Sequence, residues 1–458
     1  MPSIGSILSI AGTGLRAQQQ AMNVTAHNIA NATTEGYSRQ RAVMGGNPAL
    51  RTQEGVFGTG VRVLDVQQVR DRFLDATYHR EIASASENDT RSDMLQRIET
   101  MLGEPSENGL AATLDAFFSA WSDLATNPTG NTVRSVVRQS ARQLTDKLHE
   151  LSTSVDGVRQ EVENRFEVAV DKASALSEEI ANLNQQIVST EGDGTTAGDL
   201  RDTRNRALDE LASLLPIQVV ERSNGSVGVT ASGISIVDGA ASLALETRSS
   251  GGVWGVAVQG RPGLLQESGG TIGGLLDVLN TDVPATRRSL DDLAAALVGE
   301  VNTLHATGTN AAGTTGADFF DASGSTASSI ALDGAVSADA DVIAAGTPDA
   351  SGNFRAGAND VALAIGALRD ADVASLGHTM GEQFQGLVSD IGLAVRSSTD
   401  KAAVHRSLSD QADARRLSTS GVSVDEELVS MIQFQTAYQA AARVVTAADE
   451  MLRTLIAM

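Results

Sequence analysis

Apolar and small side chains at the start of the chain recur in alternating steps of four and three, at Ile4, Leu8, Ala11, Leu15, Gln18, Met22, Thr25 and Ile29. A seven-residue repeat with a narrow seam predicts a helix that packs along another helix. The far end repeats the pattern. From Val424 the seam runs through Leu428, Met431, Gln435, Tyr438, Ala442, Val445, Leu452 and Leu455, and Asp425, Glu426 and Glu427 fill the first turn, where the helix dipole favours acids. Residues 1–41 hold Arg16, Arg39 and Arg41 against the single acid Glu35, whereas residues 421–458 hold two basic groups against five acids. Matching seams and opposite charge predict that segments 1–41 and 421–458 pair. Two amphipathic helices buried on one globular core would show the same period. The amides favour an assembly interface: Gln18, Gln19, Gln20, Asn23, Asn28 and Asn31 are expected to face Gln433, Gln435 and Gln439, weakening the packing while fixing register and partner number.

Between the ends the pattern is mostly helical. Leu110, Leu114, Phe117, Trp121 and Leu124 form one apolar face, closed by the turn Asn127-Pro128-Thr129-Gly130. A second seam runs from Leu144 through Val155, Phe166 and Ile180 to Ile187 without a proline, which predicts a rod of about 55 residues, roughly 80 Å long. Over 216–268 the period changes to two, at Val227, Val229, Ile234, Ile236, Val256 and Val258, with a hairpin signal at Asn224-Gly225. Residues 307–360 are rich in Gly, Ala, Ser, Thr and Asp and read as loops and short strands on the outside. The expected fold is mainly α, a long helical rod or coiled-coil bundle built from both termini with an inserted small β domain. Its parts are the terminal segments, a rod domain over 42–214, 269–306 and 359–420, the β domain over 215–268 and an outer insertion over 307–358.

Composition narrows the function. The 458 residues contain no long apolar run, so no membrane insertion is expected. With 34 basic against 57 acidic residues the net charge is -23, which disfavours nucleic acid and anionic membrane surfaces. The absence of cysteine excludes disulfides and thiolate metal sites. The six histidines are scattered singly, and neither a phosphate loop nor a nucleophile elbow occurs. No catalytic, cofactor-binding or metal site is therefore expected, and an enzyme is disfavoured. Arg16 is the first basic residue, so the charged region of a cleaved signal is missing. The chain is expected either to stay in the cell or to leave it without a cleaved signal.

The run Asn28-Ile29-Ala30-Asn31-Ala32-Thr33-Thr34-Glu35-Gly36-Tyr37 resembles the signature N-I-A-N-x-x-T-P-G-Y of the bacterial flagellar rod, hook and hook-associated axial protein family. Glu35 stands where the family usually has proline, and Gly36 still supplies the freedom for a sharp exit from helix to extended chain. Tyr37-Ser38-Arg39-Gln40 and the C-terminal run Gln433-Phe434-Gln435-Thr436-Ala437-Tyr438 look like the branch that joins hook to filament, as do Ile180–Asn184, Asp199–Asp202 and Asp209–Leu211. The resemblance implies an extracellular structural protein of the flagellum, exported through the type III apparatus. It implies copies of itself, the hook protein, the second junction protein (hook-associated protein 3) and a cytoplasmic export chaperone as partners. The implied assembly residues are Leu8, Leu15, Met22, Asn28, Ile29, Asn31, Gly36, Tyr37, Arg39 and Gln40 at the start. At the end, Leu428, Met431, Phe434, Tyr438, Ala442, Val445, Leu452 and Leu455 would serve both assembly and chaperone binding. Neither terminal segment has a private core, so each is expected to order on assembly. A hook or distal-rod component is the nearest alternative. A surface-binding, adhesin-like module is a more distant one, with Trp254, Phe319, Phe320 and Phe354 as its only aromatic residues in 214–360.

Overall fold

The computed structural model describes residues 4–52, 55–192, 196–265, 269–310 and 312–457, so the extreme ends of the terminal segments and residues 266–268 of the expected β domain lie outside the described residues. Helix α1 (Ile4–Ala30) leaves through Gly36 at φ 75° into strand β1 (Gln40–Gly46). The chain turns back through the short strands β2 (Leu50–Thr52) and β3 (Gly55–Phe57) and returns as β4 (Val61–Gln68), antiparallel to β1. Helix α2 (Arg72–Leu102) starts on the Asp71 carboxylate, which accepts from the Phe73 and Leu74 amides, and stops at Gly103 in the left-handed conformation. Then come α3 (Leu110–Thr126) and α4 (Asn131–Glu191), whose 61 residues extend about 90 Å.

Helix α5 (Gly198–Leu214) leads into an antiparallel sheet of β5 (Ile217–Glu221), β6 (Val227–Ala231), β7 (Ile234–Asp238) and β8 (Ala241–Ser242), in that order. A separate hairpin follows, β9 (Leu245–Ser250) and β10 (Val253–Val258). Helix α6 (Gly270–Asp277) passes through a π-helical turn, Val278–Asp282, into α7 (Val283–His305). Short helices α8 (Gly334–Ala338) and α9 (Asp360–Ala367) precede α10 (Met380–Ser420), which opens on a capping box between Thr379 and Glu382. Helix α11 (Val424–Ala457) ends the described chain.

The core follows the α4 seam. Leu144, Leu148, Leu151, Val155, Val162, Phe166, Val170 and Ile180 are buried, and α2 adds Met94, Leu95 and Ile98 while α10 adds Phe384, Leu387 and Ile391. α10 runs antiparallel along α2, tied by Ser92 to Thr399 at 2.7 Å and Glu81 to His405 at 2.9 Å. One face of the β region also joins this core through Val229, Ile236, Val256 and Val258. The small β region is thus bound to the rod and presents only its other face to solvent.

Two stretches depart from the sequence expectation. Residues 40–68 fall largely in the expected helical rod but form antiparallel pairs, β1 with β4 and β2 with β3, linked through Asn47-Pro48 and bent by a bulge between Val43 and Met44. Proline and paired glycines oppose a helix there. The expected outer insertion also sends its few large side chains inward. Phe319, Phe320, Ile330, Val336 and Ile343 are fully buried, with Phe319 5.1 Å from the Trp121 ring. Asn302 of α7 holds that loop by accepting from the Phe319 and Phe320 amides, each at 2.9 Å, and donating to the Phe320 carbonyl at 2.8 Å. Two buried phenylalanines in a small-residue background are enough to fix the segment on the core.

Candidate functional site

Helices α1 and α11 pack antiparallel, in a register set by Gly14 beside Ala441 and Asn28 beside Glu427. The contact is built on small residues. Ala11, Ala17, Ala21 and Thr25 are fully covered on α1, and Ala448 on α11. The larger expected seam residues Leu8, Leu15, Met22 and Ile29 are half-buried, as are Met431, Phe434, Tyr438, Ala442, Val445 and Leu452. Leu428 and Leu455 leave the seam altogether, at 45% and 59% exposed. A straight helix drifts about 20° per heptad from a strict seven-residue repeat, so positions near the ends of a long seam swing off the contact face.

The expected amide facing is not what forms. Gln19, Gln20, Asn23, Gln433, Gln435 and Gln439 are exposed, and Asn31 donates to the His27 carbonyl of its own helix at 3.0 Å. Asn28 alone among these amides is fully buried, and it organises the root of the helix pair. Its Oδ1 accepts from the Gln40 amide at 2.9 Å and from the Tyr37 hydroxyl at 2.8 Å, while its Nδ2 donates to the Gln40 carbonyl at 2.8 Å and to Glu427 at 3.0 Å. The side chain thus pairs with Gln40 as a neighbouring strand would. Glu427, 3% exposed, also receives Arg39 Nε at 2.7 Å, and Arg39 reaches Glu426 at 3.0 Å. The Arg39 amide donates to the Ser420 carbonyl at 2.8 Å, fixing the turn between α10 and α11. Gly36 fits because a side chain there would strike Arg206.

Charge at the root is shifted by burial. Burial first, then the nearby Asp202, Asp199 and Glu427 carboxylates, raise the Tyr37 pKa, keeping the hydroxyl a donor to Asn28. Burial also raises Asp202, which accepts from the Ser38 amide at 3.1 Å and leaves its other oxygen without a partner. The structure therefore gathers Asn28, Gly36, Tyr37, Arg39 and Gln40 at one point, while Ile29 and Asn31 serve the helix end.

A second clamp was missed by sequence reasoning. Arg416 of α10 holds Asp209 of α5 through two bonds of 3.0 Å and lies 4.1 Å over the Tyr78 ring of α2. His79 reaches the same carboxylate at 2.7 Å, and Arg70 grips Asp75 at 2.7 and 3.0 Å. Burial opposes ionisation of Asp209, but the bonds from His79 and Arg416 outweigh it and lower its pKa. Asn184 of α4 does similar work for the sheet, donating to the Val227 and Gly239 carbonyls and accepting from the Val227 amide. Of these groups only Asn184 and Asp209 carried a sequence signal, their place in the family-like stretches 180–184 and 209–211.

The aromatic residues weighed for ligand stacking do not assemble. Phe319 and Phe320 are core, and Trp254 packs on Phe166 at 6.3 Å. Among the described residues, none group as three or more potential metal ligands, and no helix is long and apolar enough to cross a membrane.

Comparison with known proteins places the ends and the middle together. The family described as "Flagellar hook-associated protein FlgK helical domain" matches residues 95–320. "Flagella basal body rod protein" matches 8–37, and "Flagellar basal body rod FlgEFG protein C-terminal" matches 414–458. Flagellar hook-associated protein 1 of Bacillus subtilis (strain 168) is 28% identical over 495 residues, covering 98% of this chain and 97% of that protein. The protein of that name from Escherichia coli (strain K12) is 27% identical over 69% of this chain, which corresponds to 60% of the relative. In fold, the chain is similar to the flagellar hook junction protein FlgK from Burkholderia pseudomallei, with a TM-score of 0.66 at 16% identity, over 75% of this chain and all of that one.

Proposed function

The chain belongs to the flagellar hook-associated protein 1 family of bacterial axial proteins, and we propose from that premise that it is a structural protein forming the junction between hook and filament. One observation carries the reading at the level of residues: α11 pairs with α1 yet turns Val429, Ile432, Val444, Met451, Leu455 and Ile456 outward, with Ile432 62% and Ile456 83% exposed. Beside them an apolar groove of about 400 Å3 opens between Ile7, Ile10, Gly14, Val61, Ala441 and Val444. Covering each large side chain would contribute about 1.5–3 kcal/mol. Neighbouring copies, the hook protein below and the second junction protein above supply that cover in the assembled tube. Before export, a cytoplasmic chaperone takes the place of α1 on the seam face of α11, around Met431, Phe434, Tyr438 and Val445, which α1 only half covers.

Assembly in this reading runs through the root. The buried Asn28–Tyr37–Arg39–Glu427 network joins the start and end of the chain, so the two terminal helices are presented as one unit. The rod carries the wall of the tube, and the net charge of -23 keeps the waiting subunit soluble. Its family is a structural one, and no reaction is assigned to it.

The test is electron microscopy of source cells lacking this chain, with the medium assayed for unpolymerised flagellin. Bare hooks with flagellin in the medium are expected. Missing hooks would move the protein to the rod or hook, and normal filaments would refute an axial role.

A further inference from the structure

Beside the root, β4, the start of α2, α5 and the β5–β6 hairpin enclose a cleft of about 890 Å3. Six arginines line it, Arg70, Arg72, Arg80, Arg201, Arg204 and Arg222, against three acids, Asp65, Asp75 and Glu221. That balance is the reverse of the chain as a whole. Three of the guanidinium groups are held in ion pairs away from the rim: Arg70 with Asp75, Arg201 with Glu191 and Glu221, and Arg222 with Asp238.

Arg204 is different. It is 3% exposed, and its terminal nitrogen donates only to neutral acceptors, Asn184 Oδ1 at 3.1 Å and the Gly225 carbonyl at 2.7 Å. Its Nε is buried without a hydrogen-bond partner, and no carboxylate among the described residues lies within ion-pair distance. Burial and the neighbouring Arg201 lower its pKa to about 10, which leaves it charged at neutral pH. The Glu221 and Glu191 carboxylates near it act on Arg204 only at longer range and are themselves gripped by Arg201, so a buried cation with no carboxylate in direct contact is left, and further negative charge can approach from the cleft. At the rim, Arg72 touches only Glu221 and Arg80 only Glu81 among the described residues, so both exposed guanidinium groups keep further N–H donors.

We propose that this cleft is an oxyanion site, taking one carboxylate or phosphate group with Arg204 at its floor and Arg72 and Arg80 closing over it from the rim. The group comes either from free phosphate or from an acidic side chain of a second copy. Guanidinium forks favour oxyanions of both kinds.

Calorimetric titration of the full-length monomer with inorganic phosphate, at ionic strength held constant with sodium chloride, tests the site independently of any role in the flagellum. Saturable binding is expected, weakened at least tenfold in the Arg72→Gln/Arg80→Gln double variant, whose exposed positions leave the fold intact. Heat that matches the chloride control, or equal affinity in the double variant, would overturn the proposal. Repeating the titration on polymers of the chain separates the sources. Binding to monomer and polymer alike assigns a free ion, and binding to the monomer alone assigns a neighbour's acidic side chain.

Discussion

The terminal pair and the rod are both built from long helices, yet they use their apolar residues in opposite ways. In the rod, α4 buries Leu144, Leu148, Val155 and Phe166 against α2, α3 and the β region until nothing large in the seam is left over. In the terminal pair the fully covered residues are mostly alanines, and the isoleucines, leucines and methionines lie half-open or outward. The rod therefore has a core of large side chains within one chain, even though Val168 of α4 and Leu393, Val404 and Leu417 of α10 point outward, whereas the pair covers little beyond small residues. Small residues at the contact bring the two helix backbones close, and the large ones ring that contact as a surface for others.

Truncating the rod should have the largest effect on the free chain. Phe166→Ala removes a fully buried ring and is expected to cost about 3–5 kcal/mol, read as a lowered denaturation midpoint of the monomer. Glu427→Ala should cost less and act elsewhere. It strands Asn28 and Arg39, a loss of about 1.5–3 kcal/mol that should appear as faster hydrogen exchange in α11, with the midpoint of the rod unchanged. An equal slowing or speeding of exchange in α4 would show that the two regions are not separable.

A pH series sharpens the contrast at the root. Because burial raises the Asp202 pKa, the folded chain keeps this proton at a pH where the unfolded chain has lost it. Stability near the root should therefore fall as pH rises from the ordinary aspartate value through the folded one, and Asp202→Asn should remove that slope. The smallest effect on the monomer is expected from Ile432→Ser with Ile456→Ser. Both are outward, so the monomer midpoint should move by less than about 0.5 kcal/mol per site while polymerisation is lost.

Much of this contrast could be read before the structure. The four-and-three spacing located both terminal helices and the α4 rod, because helical period depends only on local pattern. It did not show which seam residues meet, since a strict heptad hides the drift that expels Leu428 and Leu455. The root was half-legible: Asn28, Tyr37, Arg39 and Gln40 stood in one motif, but their partner Glu427 was seen only as a first-turn acid. The clamp of Arg416 on Asp209 joins residues 207 positions apart and left no periodic trace. The strand pairs over 40–68 and the inward Phe319 and Phe320 were lost in compositions that read as something else.

Hydrogen–deuterium exchange on the full-length chain, free and then assembled, tests most directly whether the terminal pair is completed by neighbours. Amides of residues 4–30 and 424–457 should be only partly protected in the free chain, exchanging well ahead of α4, and become protected on assembly, while those of α4 stay protected throughout. Terminal helices already as protected as α4 in the free chain, or unchanged after assembly, would contradict the division between a self-sufficient rod and a dependent pair.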